Sequence, residues 1–211
     1  MLSATAALGF VLALLPIVVT PGASFTLVTG RALAGDRRGS VAVVAGTAVG
    51  IITHALLAGL GLAAVVMASS EAFTVVRLVG AGVMVVLGLQ LLWQARTGRT
   101  SGRVVAADAK PTAFWATLAQ AYVANVLNVK AAAIYLTLAP QFLSADQAAV
   151  PSMLCLASLH IIIQVAWLGF WIIGWSRLSR RFDPALWRRR INALGGAVLV
   201  ALGIRTVVAG R

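Results

Sequence analysis

The sequence predicts an all-α integral membrane protein, with six transmembrane helices built as two inverted three-helix repeats. Three observations carry that expectation. First, 61% of the 211 residues are hydrophobic and 10% are charged, where soluble domains run at about 45–50% and about 25%. A 21.8 kDa globule has too much surface to hide that excess inside itself. Second, apolar segments long enough to cross a bilayer, which takes about 20 residues, recur along the chain. Third, a glycine-rich stretch of the first half returns in the second.

The segments run in order as follows. Leu2–Ala34 is apolar but interrupted at Pro21-Gly22, and no Lys or Arg precedes Arg31. A cleaved signal peptide carries a basic n-region, so this segment is expected to remain as a span. Val41–Met67, Phe73–Trp93, Ala113–Leu138, Ser152–Trp175 and Ala193–Ala209 follow, separated by short connections rich in charge, Gly or Pro. The longest polar piece, Arg96–Lys110, reads as a solvated loop. The chain is therefore expected to be one transmembrane domain: repeat one over residues 1–95, a basic loop over 96–112 and repeat two over 113–211.

The net charge of +12 would suggest nucleic acid in a polar chain; here its distribution gives it another meaning. Arg31, Arg37 and Arg38 follow span one; Arg96, Arg99, Arg103 and Lys110 follow span three; Arg177, Arg180, Arg181, Arg188, Arg189 and Arg190 follow span five. These 13 residues fall on one face and only Arg77, Arg205 and Arg211 on the other. The positive-inside rule places the basic face in the cytoplasm and both termini outside. No nucleic-acid partner is expected.

The two halves resemble each other. Gly80, Val83, Val85, Leu87 and Gly88 recur as Gly195, Val198, Val200, Leu202 and Gly203 at a constant offset of 115. Spans two and five each hold one histidine, His54 and His160. Three spans per copy is an odd number, so the second copy enters the membrane inverted, an arrangement in which transporters bind substrate near the midplane between interrupted helices. Interruptions stand at corresponding places. In span one, Pro21-Gly22-Ala23-Ser24 lies within the apolar stretch, and proline leaves a carbonyl about four residues back without its N–H partner. In span four, Asn125, Asn128 and Lys130 sit at membrane depth, where a lysine is costly and marks a functional site. On an intact helix Asn128 and Lys130 would lie about 200° apart, so both face one cavity only if the helix opens.

Span two offers a complementary wall. Gly46, Gly50, Thr53, His54 and Gly61 are expected on one helical face, and Gly46-xxx-Gly50 is a small-residue packing pattern. In span five His160, Gln164, Trp167 and Trp171 form a polar-to-aromatic stripe. Each histidine is either a hydrogen-bonded neutral imidazole or a proton-handling group. The glycine faces Gly80–Gly88 and Gly195–Gly203 can pack within a monomer or between protomers, which leaves a homo-oligomer open.

These residues resemble the LysE/RhtB family of amino-acid exporters, over nearly the whole chain. The resemblance rests on Phe10…Pro21-Gly22, the Gly35-Asp-Arg-Arg-Gly39 turn, Gly46…Gly50…His54-Ala-Leu-Leu, Arg77-Leu-Val-Gly80-Ala, and Asn125-Val-Leu-Asn128-Val-Lys130-Ala-Ala…Pro140-Gln141-Phe142. It implies a six-span protein of the bacterial inner membrane that exports amino acids under a proton gradient. The family usually reads Pro-Gly-Pro where this chain has Pro21-Gly22-Ala23, and Asn-Pro-Lys where it has Asn128-Val129-Lys130. Glycine and asparagine are then left to open the two helices.

The expected function is export of a small zwitterion, a neutral amino acid. Pro21, Gly22, Ser24, Asn125, Asn128 and Lys130 are the candidate substrate-binding residues; His54 and His160 are the candidates for proton coupling; Gly46 and Gly50 pack helices. The carboxylate would meet the half-helix beginning near Gly22–Ser24. The Lys130 ammonium would meet carbonyls freed around Val18 and Thr20, with an Asn125 or Asn128 oxygen. Asp36, Glu71, Asp108, Asp146 and Asp183 all lie in connections, so no anion awaits a cationic side chain, whose unpaired burial is very costly. The expected partners are the amino acid, protons and the lipid bilayer, with no cofactor and no metal.

Three rivals stand beside this reading. A metal-efflux protein wants clustered His, Cys or carboxylates, and the chain offers two separate histidines and the single Cys155, which also leaves no internal disulfide. An intramembrane hydrolase built on Ser24 and His54 lacks an acid to orient the imidazole. A channel or non-transporting membrane subunit shares the six-span pattern. The orientation is checked by labelling in a Cys155→Ser background: Asp146→Cys reacts with an impermeant maleimide on intact cells, and Arg37→Cys only after lysis. The reverse pattern would place the basic face outside.

Overall fold

A computed structural model describes residues 2–20, 22–68, 70–97, 113–144, 146–178 and 184–209. The described residues are helical with no strand: α1 (Ala4–Val19), α2 (Ala23–Leu33), α3 (Arg37–Ala68), α4 (Ser70–Thr97), α5 (Phe114–Val126), α6 (Val129–Ala133), α7 (Ala149–Leu178) and α8 (Pro184–Ala209). α6 runs on through a π-helical turn, Ile134–Leu138, into a 3₁₀ turn, Ala139–Phe142. The basic loop, apart from Arg96, and residues 179–183, with Arg180 and Arg181, lie outside the described residues.

Arg37–Ala64, Leu78–Thr97 and Ala149–Ile173 are each long and apolar enough to cross a membrane alone. Two further pairs do so as bent units, α1 with α2 at 54° and α5 with the α6 segment at 56°, giving up to five, and α8 carries a shorter apolar stretch, Asn192–Val208. The two bends stand at the interruptions read from sequence. The last helix begins earlier than expected, at Pro184, because proline suits the first position of a helix, where its missing N–H is no loss.

The outer surface explains the composition. Leu8, Leu57, Val79, Leu127, Ile162, Ile173 and Leu194 are each at least 60% exposed. Large apolar patches of this kind mark an interaction surface on a protein in water; here they run along spanning helices, where hydrocarbon is the solvent. The main interior core lies around Phe10, Leu14, Ile51, Tyr135, Leu138, Met153 and Leu156, and a smaller one joins Val28, Val43, Ala121 and Leu168.

Local chemistry fixes the turn between α2 and α3. Asp36 N–H donates to the Arg31 carbonyl at 2.9 Å and Gly35 N–H to the Ala32 carbonyl at 3.1 Å, the paired bonds of a Schellman ending. It needs a left-handed residue, and Gly35 supplies φ of 73°. Asp36 then caps α3, its carboxylate accepting from Gly39 N–H at 2.7 Å, and pairs with the buried Arg31 at 3.2 Å. Arg38 lies over the Phe114 ring at 5.8 Å, and Arg189 donates to the Ala95 and Arg96 carbonyls at 2.9 and 3.4 Å. The three basic connections therefore gather at one end of the bundle.

α4 and α8 pack antiparallel through the recurring glycines. A Cβ on Gly88 would stand 2.7 Å from both Val200 Cγ2 and the Gly196 oxygen; a Cβ on Gly203 would stand 2.7 Å from Val85 Cγ2 and 2.8 Å from the Ala81 oxygen. Both glycine stretches thus pack against each other within one chain. Overfilling such contacts costs about 1–3 kcal/mol. Gly88→Val and Gly203→Val are expected to lower the thermal midpoint in detergent by similar amounts. Gly82→Val, with no neighbour inside 4 Å, leaves it unchanged.

Candidate functional site

The site begins at the end of α1. Pro16 lies inside that helix, and its carbonyl accepts from both the N–H and the hydroxyl of Thr20, at 3.2 and 2.8 Å. Residue 21 is proline, which has no N–H to give the carbonyl four residues back, that of Ile17. The Lys130 ammonium takes its place, donating to Ile17 O at 3.0 Å and to Thr20 O at 2.8 Å. The carbonyls are thus Ile17 and Thr20, rather than Val18 and Thr20. Gly22 caps α2, and a Cβ there would lie 3.1 Å from Lys130 Nζ, so glycine permits the approach. Pro21 itself lies outside the described residues.

A second break mirrors the first. α5 ends at Val126, and the Asn125 carbonyl accepts from Asn128 N–H at 3.0 Å. The Asn128 side-chain oxygen accepts from Lys130 N–H at 3.0 Å and so starts α6; it serves the backbone rather than the ammonium. His54 Nε2 stands 3.2 Å from the same Asn125 carbonyl. A carbonyl only accepts, so Nε2 carries the hydrogen. Each broken helix therefore ends on a nitrogen donor from the other half of the chain: Lys130 on α1, His54 on α5.

Gly46 and Gly50 both face α5. A Cβ on Gly46 would meet Ala121 and Tyr122 at 3.0 Å, and one on Gly50 would come within 2.9 Å of Asn125 Cβ. Thr53 and Gly61, expected on this face, depart from it. The Thr53 hydroxyl turns back to the Val49 carbonyl, and Gly61 has no neighbour inside 4 Å. The reason is that α5 stops at Val126, so the far end of α3 meets α7 instead, with Gly59 against Val150 and Met153.

Two adjacent spaces that share lining residues open at the breaks. The smaller, about 30 Å³, is lined by Thr20, Gly22, Ser24, Asn125, Asn128, Lys130, His160 and Gln164 among others. Asn125 Oδ1, on a side chain 4% exposed, has no hydrogen-bond partner among the described residues. The larger, about 600 Å³, shares Thr20, Gly22, Asn128 and Lys130 and is walled on α4 by Met84, Leu87, Gln90, Leu91 and Gln94. Asn128 and Lys130 reach the same cavities because the helix opens between α5 and α6. Lys130 is the one charged residue among those lining either space.

His54 and His160 are joined by a residue that sequence reasoning passed over. Tyr135 stacks on His54 at 6.2 Å, and its hydroxyl lies 3.1 Å from His160 Nδ1. Nothing in its apolar surroundings signalled it. Gln90 and Gln94 were also missed, although two amides one turn apart inside an apolar span were a visible signal. Asn192 escaped notice beside the arginine run. Its side-chain oxygen lies 3.4 Å from the Thr20 hydroxyl, whose hydrogen goes to Pro16 O, and its amide donates to Gln94 at 3.3 Å, bringing α1, α8 and α4 together. The stripe on α7 continues from His160 and Gln164 to Trp167 and Trp171, whose rings meet edge to face at 5.5 Å. Ser24 and His54 do not pair: Ser24 accepts from Thr47 at 3.1 Å. No cluster of metal-ligating side chains occurs among the described residues.

The LysE type translocator family model matches residues 15–210. The chain is 25% identical to the uncharacterized membrane protein YrhP of Bacillus subtilis strain 168, over 92% of this chain and 97% of that protein. It is also 25% identical to an uncharacterized membrane protein of Vibrio cholerae serotype O1, over 93% of this chain and 94% of that protein. No solved structure matches.

The two prolines absent from this chain fall at telling places. Ala23 and Val129 are the first residues of α2 and α6, where proline is favoured but not required, and both breaks form without it. Ala23→Pro and Val129→Pro are expected to retain the fold and to change stability by no more than about 1 kcal/mol, upward where the dihedrals fit. Thermal midpoints in detergent check this.

Proposed function

The chain belongs to the LysE type translocator family, whose members are membrane transporters for small solutes such as amino acids, and we propose that it exports neutral, zwitterionic amino acids from the cytoplasm, driven by the proton gradient. One observation carries the reading. Lys130, the start of α2 at Gly22 and Ser24, and Asn125 line one cavity that has no acidic residue in its lining.

The chemistry follows from those groups. The substrate carboxylate meets Lys130 and the N-terminus of α2, where the helix dipole favours negative charge. The substrate ammonium meets Asn125 Oδ1, an acceptor left unsatisfied by the protein. The space at the breaks is about 30 Å³, the share of one water molecule in the liquid. It takes a single group, so the rest of the substrate lies in the 600 Å³ chamber.

The inverted repeat supplies the motion. Gly88 packs on Val200 and Gly196, and Gly203 packs on Val85 and Ala81; the offset of 115 read from sequence turns one set of contacts into the other. A two-fold axis relating the halves has this property. The symmetry fails elsewhere in an informative way. α1 packs on α8 and the π-helical turn packs on α4, whereas their inverted counterparts, α5 with α4 and α2 with α8, face each other across the chamber. The chamber follows α4 toward Gln94, next to the basic end. This is the inward-facing state of a carrier with both termini outside. Exchanging the two sets of contacts produces the outward-facing one, as in other inverted-repeat transporters. His54, Tyr135 and His160 lie on the closed side and form the proton path.

Counterflow of labelled neutral amino acids in proteoliposomes, with and without ΔpH, tests the proposal. Lys130→Ala and Gly22→Leu are expected to lower the initial rate at least tenfold, and His54→Gln to remove its dependence on ΔpH. Wild-type rates in both site variants, or preference for lysine over every neutral substrate, would overturn it.

A further inference from the structure

The chamber has two unlike ends, and we infer that Gln90 reads the substrate side chain, selecting neutral amino acids that carry a hydroxyl or amide over their apolar isosteres. The inference rests on the zwitterion reading of the Lys130 end and concerns the opposite wall. There α4 presents Met84, Leu87, Gln90, Leu91 and Gln94 to the chamber, positions that share one side of a helix. Three of the five are apolar and supply a slot for side-chain methylene groups. The two glutamines have different duties. Gln94 is held in place, its Oε1 accepting from Asn192, which lies beside Thr20. Gln90 is exposed to the chamber and has no hydrogen-bond partner among the described residues.

That difference has an energetic consequence. In the empty inward-facing chamber water satisfies the Gln90 amide. When a substrate displaces that water and the chamber closes, the amide must be paired by the substrate or left unpaired. An unpaired buried amide lowers affinity by roughly fivefold to a hundredfold. A site that offers a hydrogen bond discriminates strongly against an analogue lacking it, whereas an apolar wall discriminates weakly between isosteres. Selectivity on this wall therefore resides in the Gln90 amide rather than in the leucines and methionine beside it. The wall also lacks an acid, so a cationic side chain finds no partner there.

Counterflow competition with two near-isosteric pairs, threonine against valine and glutamine against methionine, tests this directly. Wild-type protein is expected to prefer threonine and glutamine by roughly tenfold. Gln90→Leu is expected to bring each pair within about twofold while valine and methionine transport persists, which shows that the variant is folded. Gln90→Glu supplies the missing anion and is expected to make lysine a competitor where it was none. Transport without either preference, or a preference that survives in Gln90→Leu, overturns the role of Gln90 and leaves the transport reading standing. Absence of counterflow for every neutral amino acid overturns the transport reading and this inference with it.

Discussion

Two helices stop inside the bilayer, and a helix that stops there must find partners for its last carbonyls. Everything else about the site depends on how that requirement is met. Each unsatisfied backbone group in hydrocarbon costs several kcal/mol. An unpaired lysine at membrane depth costs about 2.5–3.5 kcal/mol even by the most lenient scale. Separately the two are liabilities; bonded together, Lys130 on Ile17 and Thr20, they offset each other. The same logic sets His54 on the Asn125 carbonyl. Each of these two side-chain donors comes from the opposite half of the chain. The halves are locked to each other at the points where both are interrupted.

Much of this was legible in the sequence because it is written in residue types that are expensive in a membrane. Proline without an N–H, lysine without a carboxylate and paired asparagines within apolar runs each demand a structural answer. The answers were found at Gly22 and Asn128, where the helices open. Glycine recurrence located the α4–α8 contact for a related reason: backbones approach closely only where no side chain intervenes, as at Gly88 and Gly203. What stayed hidden depended on where neighbouring elements end. Gly61 shares a helical face with Gly46 by periodicity, yet it meets nothing, since α5 terminates below it. Tyr135 bridges two histidines that are far apart in sequence, and only the π-helical turn that carries it sets its hydroxyl beside His160. Periodicity describes one helix; a site built across four of them also needs their lengths and breaks.

The connection between α2 and α3 shows how a moving part can be anchored without a large interface. α2 is short and borders the chamber, so its inner end needs a rigid tether. The Schellman ending, the Asp36 cap and the buried Arg31–Asp36 pair put three constraints within nine residues of chain, Arg31 to Gly39. Helix C-caps of this kind satisfy carbonyls that nothing else would reach. The outer end of α2, by contrast, has no side-chain cap, which leaves its N–H groups open to a ligand. One end of the half-helix is tied down by side chains, and the other has no side-chain cap.

Charge closes the argument about what the chamber admits. Its lining holds a single formal charge, the Lys130 ammonium, balanced only by carbonyl dipoles. A zwitterion adds no net charge, so its carboxylate can approach Lys130 while its ammonium is carried by the Asn125 oxygen. A cationic side chain would add a second positive charge with no counter-ion. At 4 Å and an effective dielectric constant of 20, two like charges repel by about 4 kcal/mol, or roughly a thousandfold in affinity. Even at twice that separation the penalty would be about 2 kcal/mol. A second carboxylate on the substrate would gain from Lys130, but only one ammonium is present to share between two anions, and the neutral amides of Gln90 and Gln94 would have to compensate the rest. In the export proposed above, the composition that first marked this chain as a membrane protein, poor in acids and with all of them outside the spans, would also act as a filter on net charge.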